Sequence, residues 1–262
     1  MGILNLTPDS FFDGGKLSNE KAILIQATQM LEDGATALDI GGMSSRPGAG
    51  IISPNEELER ILPALKMLLK EFSNTLFSID TIHAETANIC LGEGVKIIND
   101  ISGGEYDMNM FSTVAKYDAG IILMHMRGTP TSMQSLVDYE DLIEDIKNYF
   151  VPKIATCKNL GIKNIIVDPG FGFSKTLEHN YKLLHHIKVF NSLETSVMVG
   201  ISRKSMIQKV INKDAAQSLN GSTVLHTIAL LNGANVLRVH DVAAAMEAVK
   251  LVEFYKNQAT IK

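Results

Sequence analysis

The chain has 262 residues, a length that large single α/β domains commonly fill. Hydrophobic residues make up 45% and charged residues 20%, which excludes wholesale disorder. Lysine and arginine total 24 against 29 aspartate and glutamate, a formal charge of −5, and no Lys/Arg run supplies the basic face that a non-specific nucleic-acid binder needs. A local basic pocket for a small anion needs only a few residues and stays open. Cys90 and Cys157 are the only cysteines, far apart in helical segments, so neither a disulfide framework nor a thiolate metal site is supported. Apolar runs fall well short of the roughly 20 residues of a membrane span. No charged and then long apolar leader follows Met1. The expectation is a soluble, cytoplasmic protein.

In chain order, strand candidates are Gly2–Leu6, Thr36–Ile40, Leu76–Asp80, Lys96–Asn99, Gly120–Met124, Ile165–Asp168, Ser196–Val199 and Val236–Val239. Helical patterns separate them. Ser53 can N-cap a helix with Pro54 at its first position and Glu56 completing a capping box. Asp141–Ala155 carries Ile143, Ile146, Phe150 and Ile154 near helical spacing, and the last helix repeats the pattern with Val242, Met246, Val249 and Val252. Alternating strands and helices demand parallel strands joined by right-handed crossovers. About eight such units at this length fit a single-domain (β/α)8 barrel better than an open sheet. The open sheet usually shows a glycine-rich phosphate loop after its first strand, and Thr7-Pro-Asp-Ser-Phe-Phe-Asp13-Gly-Gly15 is neither G-x-G-x-x-G nor a P-loop.

In such a barrel the strand C-termini build the active face. The residues there are Asn5, Asp39, Asp80, Asn99, His125, Asp168, Arg203-Lys204 and Arg238-Val-His240. Asp and Asn at a strand end often only cap the next helix. Capping does not account for Arg and His after the last strand, or for Arg-Lys-Ser after the seventh. Arg46, Arg203, Lys204, Arg238 and His240 suit a phosphate or diphosphate. Arg238 and His240, two apart, point to one face. Ser205 opens a helix whose N–H groups also attract anions. Asp80, Asn99 and Asp168 suit a heterocycle with several N–H donors. The Gly-, Pro- and Ser-rich loops Thr7–Lys16 and Met43–Ser53 are placed to act as mobile covers.

Taken together, these segments resemble the dihydropteroate synthase family. The resemblance rests on Gly2-Ile-Leu-Asn5-Leu-Thr-Pro-Asp-Ser-Phe11 with Asp13-Gly-Gly15, Leu38-Asp39-Ile-Gly-Gly-Met-Ser-Ser45-Arg46-Pro47-Gly-Ala49, Ser78-Ile-Asp80-Thr81 and Ile98-Asn99-Asp100-Ile-Ser-Gly-Gly104. It continues through Leu123-Met124-His125-Met126-Arg-Gly-Thr-Pro130, Val167-Asp168-Pro-Gly-Phe-Gly-Phe173, Gly200-Ile-Ser-Arg-Lys204-Ser205 and Arg238-Val-His240-Asp241. The ordered set covers nearly the whole expected barrel.

The resemblance implies a TIM barrel that condenses a dihydropterin-hydroxymethyl diphosphate with p-aminobenzoate. Asp80, Asn99, Asp168 and Lys204 would hold the pterin, with Met124 packed against it. Asn5, Arg46, Arg238 and His240 would handle the diphosphate, with Mg²⁺ bridging its oxygens and Asn5 near the metal. Ser45, Pro47, Phe173, Lys204 and Ser205 would border p-aminobenzoate, and Asp39 and Asp13 would lie close to the reacting centre. The family typically forms homodimers through helices on the side of the barrel. The implied chemistry fits the residue types. Diphosphate can leave first because the pterin delocalises the cation, and a neutral aromatic amine needs no strong base before it attacks.

The chain departs from the family pattern at Met43, where Glu is common, at Ser45 for Thr, at Phe12 for Ser and at Ser174 for Gly; none removes an implied ligand. The first strand also begins at once, where the family often has a short hairpin. Two rival readings share the pterin clamp: a pterin-dependent methyltransferase barrel, and a pterin-binding protein without catalysis. Arg46, the Arg203-Lys204-Ser205 segment and Arg238-Val-His240 favour the synthase, because neither rival needs machinery for diphosphate.

Overall fold

The computed structural model describes residues 1–6, 16–46 and 48–258, the side chains of 16–19 excepted. Eight strands run parallel in sequence order: β1 (Gly2–Asn5), β2 (Ala37–Gly41), β3 (Leu76–Asp80), β4 (Ile97–Asp100), β5 (Gly120–Met124), β6 (Ile165–Asp168), β7 (Ser196–Val199) and β8 (Val236–Leu237). The sheet closes on itself. A parallel bridge joins Gly2 to Val239, with Ile3 N–H donating to Val239 O at 2.9 Å and Val239 N–H to Met1 O at 3.0 Å. This is the expected α/β TIM barrel. The last strand is shorter than its sequence pattern because Val239 leaves β7 and turns to β1 for its partner.

Helices α1 (Lys16–Glu32), α2 (Pro54–Glu71), α3 (Ala84–Gly92), α4 (Met110–Lys116), α5 (Leu142–Asn159), α6 (Leu177–His185), α7 (Ser205–Ile211), α8 (Leu219–Leu231) and α9 (Val242–Gln258) fill the crossovers. Local chemistry sets their starts. Ser53 Oγ accepts the Glu56 N–H at 3.2 Å, but Glu56 does not complete a box; its carboxylate pairs with Arg60 at 2.5 Å one turn on. Asp141 is the N-cap of α5 rather than its first residue, accepting from Ile143 N–H at 3.0 Å. The box that does form joins Thr176 and His179 at the start of α6.

Period-two alternation in the strands divides apolar from polar. Leu38 and Ile40, Phe77 and Ile79, Ile98, Ile121 and Leu123, Val167, Val197 and Val199 all belong to the main core that packs the sheet against the helices. Their alternates Asp39, Asp80, Asn99, Asp168 and Arg238 therefore point into the barrel. The register ranks them in depth: Asp39 lies opposite Ser78, one layer below Asp80, which is level with Gly41 and Asn99.

His226 on α8 is buried with an unpartnered Nε2, and burial lowers its pKa to about 4. The unfolded chain then binds a proton near pH 6.5 that the folded chain refuses, so this residue withdraws stability as pH falls from 6.5 towards 4. His226→Leu should lose about 2 kcal/mol less stability than the wild type between pH 7 and pH 5. Urea unfolding at both pH values checks this, and equal losses would contradict it.

Candidate active site

Charge inside the barrel is organised by Arg238. Its Nε donates to Asp39 Oδ2 at 2.6 Å and a terminal nitrogen donates to Asp80 Oδ2 at 2.8 Å. Asn99 Nδ2 donates to the same Asp39 oxygen at 2.9 Å. These contacts link β8 with β2 and β3, and β2 with β4, strands that are not neighbours, so they run across the barrel interior. Asp39 is fully buried in the middle of β2 rather than at its end, and serves as the base of the network. Asp39 Oδ1 and Asn99 Oδ1 are buried and without partners, two acceptors still available. Burial raises the Asp80 pKa to about 7, an effect that Arg238 opposes and Asp39 reinforces.

Asp168 ends β6 on the next part of the wall. Its Oδ1 accepts the Gly170 N–H at 2.8 Å. Burial raises its pKa, with the Lys204 ammonium the largest opposing influence. Two glycines keep the mouth open: a Cβ at Gly41 would lie 3.7 Å from Asn5 Oδ1 and 3.8 Å from Asp80 Oδ2, and one at Gly200 would lie 3.7 Å from Asp168 Oδ2 and 3.9 Å from Arg238 Cβ. Asp168 and Arg238 thus share one rim, with Asn5 across it beside Asp80.

Lys204 is the N-cap residue of α7; its Nζ donates to Phe171 O at 2.5 Å and sits 4.6 Å from the centre of the Phe173 ring. Burial brings its pKa down to about 8. His240 is held at its backbone N–H and at Nδ1 by Ser202 Oγ, both at 3.2 Å. Its pKa falls to about 4, through burial first and Arg238 second. The residue as a whole is nonetheless exposed, so the direction of that shift rests as much on the neighbouring cations Arg238, Arg203 and Lys204 as on burial.

Not every expected residue joins this set. The Arg203 guanidinium forks onto Asp241 at 2.7 and 2.9 Å and also donates to the carbonyls of Ala215 and Ala216. Those bonds consume it in bracing the loop between α7 and α8, so it does not line the anion pocket. Arg46 is exposed and Ser45 half-buried on the loop after β2, while Ser205 is exposed at the start of a helix of only seven residues. Asp13, Phe12 and Pro47 lie outside the described residues, as does the first loop through residue 15.

The structure also supplies groups that sequence reasoning passed over, and sets Met124 and Phe173, which it had named, among some of them. Met43, Ile82, Ile101, Met124, Met126, Met133 and Phe173 form a second apolar cluster, drawn from segments at or just past strand ends. It walls the polar cup, and Met124 belongs to it. The second loop is held at both ends, by Arg60 donating to Gly42 O at 2.9 Å and by His83 Nε2 at 2.9 Å from Ile52 O. Glu57, wholly buried, accepts from Thr81 Oγ1 at 2.6 Å directly after Asp80. His83 and Glu57 carried no sequence signal beyond helical spacing.

The barrel mouth joins carboxylate and amide acceptors to the half-buried cations Arg238 and Lys204, and comparisons with known proteins say which family shares this fold. The family described as pterin binding enzyme matches residues 1–240. A dihydropteroate synthase from Synechocystis is 41% identical over 97% of this chain and 88% of its own length. The Yersinia pestis dihydropteroate synthase, solved in complex with a sulfonamide drug, superposes with a TM-score of 0.91 at 41% identity, covering 98% of this chain and 94% of that one. The Thermus thermophilus dihydropteroate synthase, solved with 4-aminobenzoate, gives 0.87 at 34% identity, over 97% of this chain and 93% of the other. The chain belongs to the dihydropteroate synthase family of pterin-binding enzymes.

Gly170 offers a test of how tightly the site is built. Its φ is +76°, and a Cβ there would fall 2.0 Å from the His125 carbonyl oxygen, a backbone atom with little room to move. Gly170→Ala should cost about 2 kcal/mol or more and should displace the Asp168 turn. Denaturant unfolding together with pterin titration checks both; wild-type stability would contradict the described backbone.

Proposed function

We propose that the chain condenses 6-hydroxymethyl-7,8-dihydropterin diphosphate with p-aminobenzoate, giving 7,8-dihydropteroate and diphosphate, the whole chain acting as one barrel domain. The observation that carries this reading is the junction, in one barrel mouth, of the acceptors Asp80, Asn99 and Asp168 with Arg238. The acceptors read the N–H edge of the pterin, and Met124 in the apolar wall packs against its ring. Lys204, between the Phe171 carbonyl and the Phe173 ring, borders both the pterin and the p-aminobenzoate. Ser45, Pro47 and Ser205 complete the p-aminobenzoate border.

Catalysis needs the departing diphosphate stabilised and the pterin cation kept from water. Arg238 and His240, with Arg46 from the second loop, receive the leaving charge. His240 donates a hydrogen bond, and the approaching anion favours its protonated form, since a neighbouring negative charge raises an imidazole pKa. Asp39 holds Arg238 in place from below, and Asp13 comes from the first loop. The amine of p-aminobenzoate attacks the exposed carbon and releases its proton to solvent or diphosphate, so no dedicated base is called on.

Among the described residues no group of three His, Cys, Asp or Glu side chains could hold a metal ion. Mg²⁺ needs no such cage, since one or two protein oxygens plus substrate phosphates and water satisfy it. The Asn5 amide oxygen, facing the same open space as Asp80, fits that role. Asn5 would hold Mg²⁺ together with the diphosphate, and the ion would supply neutralising charge to the leaving group.

We further place a homodimer interface on α8 and α9. They pack side by side and leave Val224, Ile228, Leu231, Leu251, Phe254 and Tyr255 exposed, with Leu251 at 71% and Phe254 at 69%. No helix of the described residues is long and apolar enough to cross a membrane, which accords with a cytoplasmic enzyme.

The direct assay mixes pterin diphosphate, p-aminobenzoate and Mg²⁺ with the protein and measures dihydropteroate. Product is expected, and its formation should fall when EDTA removes the metal; binding of both substrates without product would support a binding protein instead. Asp168→Asn should weaken pterin binding roughly tenfold or more, as expected for a lost charge-assisted hydrogen bond. Unchanged affinity in calorimetry would remove Asp168 from the pterin site.

A further inference from the structure

A lysine is rarely buried unless a carboxylate pairs with it. Lys175 is only 4% exposed, yet among the described residues no carboxylate lies within ion-pair distance of it. Its Nζ instead lies 3.0 Å from the Phe173 carbonyl oxygen and 3.0 Å from His125 Nδ1. Burial lowers the His125 pKa to about 2, so the ring is neutral, and burial also lowers the Lys175 pKa; with Nζ as the donor of this bond, Nδ1 accepts and the ring proton sits on Nε2. The imidazole is seated edge-on against Tyr149, ring centres 4.8 Å apart, and the Tyr149 hydroxyl donates to Ser102 O at 3.0 Å and lies 3.2 Å from Met124 O. The charged groups around Lys175 are Asp168, Lys204 and Arg127.

The place of these bonds gives them meaning. Strands β5 and β6 pair up to Met124 opposite Asp168, and the last ladder bond runs from His125 N–H to Asp168 O at 2.9 Å. Beyond it the backbones no longer pair directly, one running towards Met126 and the other through the turn Gly170–Phe173; Ser174 Oγ, accepting from Arg127 N–H and donating to Arg127 O, both at 2.9 Å, is a second tie between them, set further from the strand ends than Lys175 and His125. In that turn Lys204 holds the Phe171 carbonyl, Asn180 accepts the Gly172 N–H at 2.6 Å, and Lys175 holds the Phe173 carbonyl. Only Lys175 among these three also grips the end of β5.

We propose that Lys175 is a positioning residue: through His125 it ties the end of β5 to the Phe173 turn, and so fixes the spacing between the Met124 wall and the Phe173 wall of the substrate cleft. The inference rests on the reading of the site given above, in which Phe173 borders p-aminobenzoate. Lys175 touches neither substrate. Its loss frees the Phe173 ring without removing a ligand, so it weakens capture of the second substrate more than the chemical step.

The test is steady-state kinetics of Lys175→Met, His125→Leu and His125→Asn in the full chain, with thermal melting of each. Asn keeps an acceptor close to the place of Nδ1, whereas Leu does not. Lys175→Met and His125→Leu should raise KM for p-aminobenzoate roughly tenfold with kcat within about threefold, and His125→Asn should return KM to within about threefold of wild type. Wild-type KM in Lys175→Met would overturn the inference. So would His125→Asn as impaired as His125→Leu, or a fall in kcat that only follows lost thermal stability. If Lys175→Met does not fold, the two His125 variants decide alone. A wild-type protein that makes no dihydropteroate refutes the reading of the site, whereas an active wild type with unaltered variants refutes the Lys175 role alone.

Discussion

One guanidinium bonded to two carboxylates inside a closed barrel sets the terms for the rest of this molecule. Arg238 bridges Asp39 and Asp80, and Asn99 is drawn onto the same Asp39 oxygen. Taking three charges out of water is unfavourable, and their attraction offsets that only when geometry and hydrogen bonding are good. The barrel provides both, because closing β8 onto β1 brings strands β2, β3, β4 and β8 to face one another across a narrow interior. The cluster sets acceptors and a cation side by side in one cavity and leaves Asp39 Oδ1 and Asn99 Oδ1 buried and unpartnered, the arrangement on which the proposed binding of a ring beside a phosphate rests.

The network also explains why the site divides its work by depth. Asp39, a layer below Asp80, holds Arg238, while Asp80, Asn99 and Asp168 lie at the strand ends. Above them the Met- and Ile-rich cluster changes the surroundings from polar to apolar within one or two residues of the ends of β2, β3, β4 and β5. A heterocycle entering there meets hydrogen-bond acceptors at its edge and polarisable side chains against its face.

Much of this could be read from the chain itself. Short β-branched or Leu-rich runs between helical patterns located all eight strands, four of them with the observed boundaries, because such runs are a local property of the chain. The polar strand ends located the active rim, and the ordered motifs pointed to the family. What sequence could not supply was the pairing across the barrel. Nothing in the spacing of Arg203 and Arg238 says that one braces a loop through Asp241 while the other crosses to Asp39; only closure of the sheet decides it. Lys175 was invisible for a related reason. It stands two residues past the Phe173 motif, and its importance comes from a bond to His125, fifty positions away. Met43 read as a departure from the family pattern until the apolar rim gave it a place.

The claim that Arg238 is held by carboxylates across the barrel is tested most directly by a double-mutant cycle with Arg238→Met and Asp80→Asn, each variant unfolded in urea. Arg238→Met leaves both carboxylates without their cation and should cost about 3 kcal/mol, Asp80→Asn leaves the guanidinium to Asp39 alone and should cost less, and the double change should cost less than the sum by about 1–3 kcal/mol. Additive effects would mean that the two side chains do not interact in the folded protein, and the account of the site would fail with them.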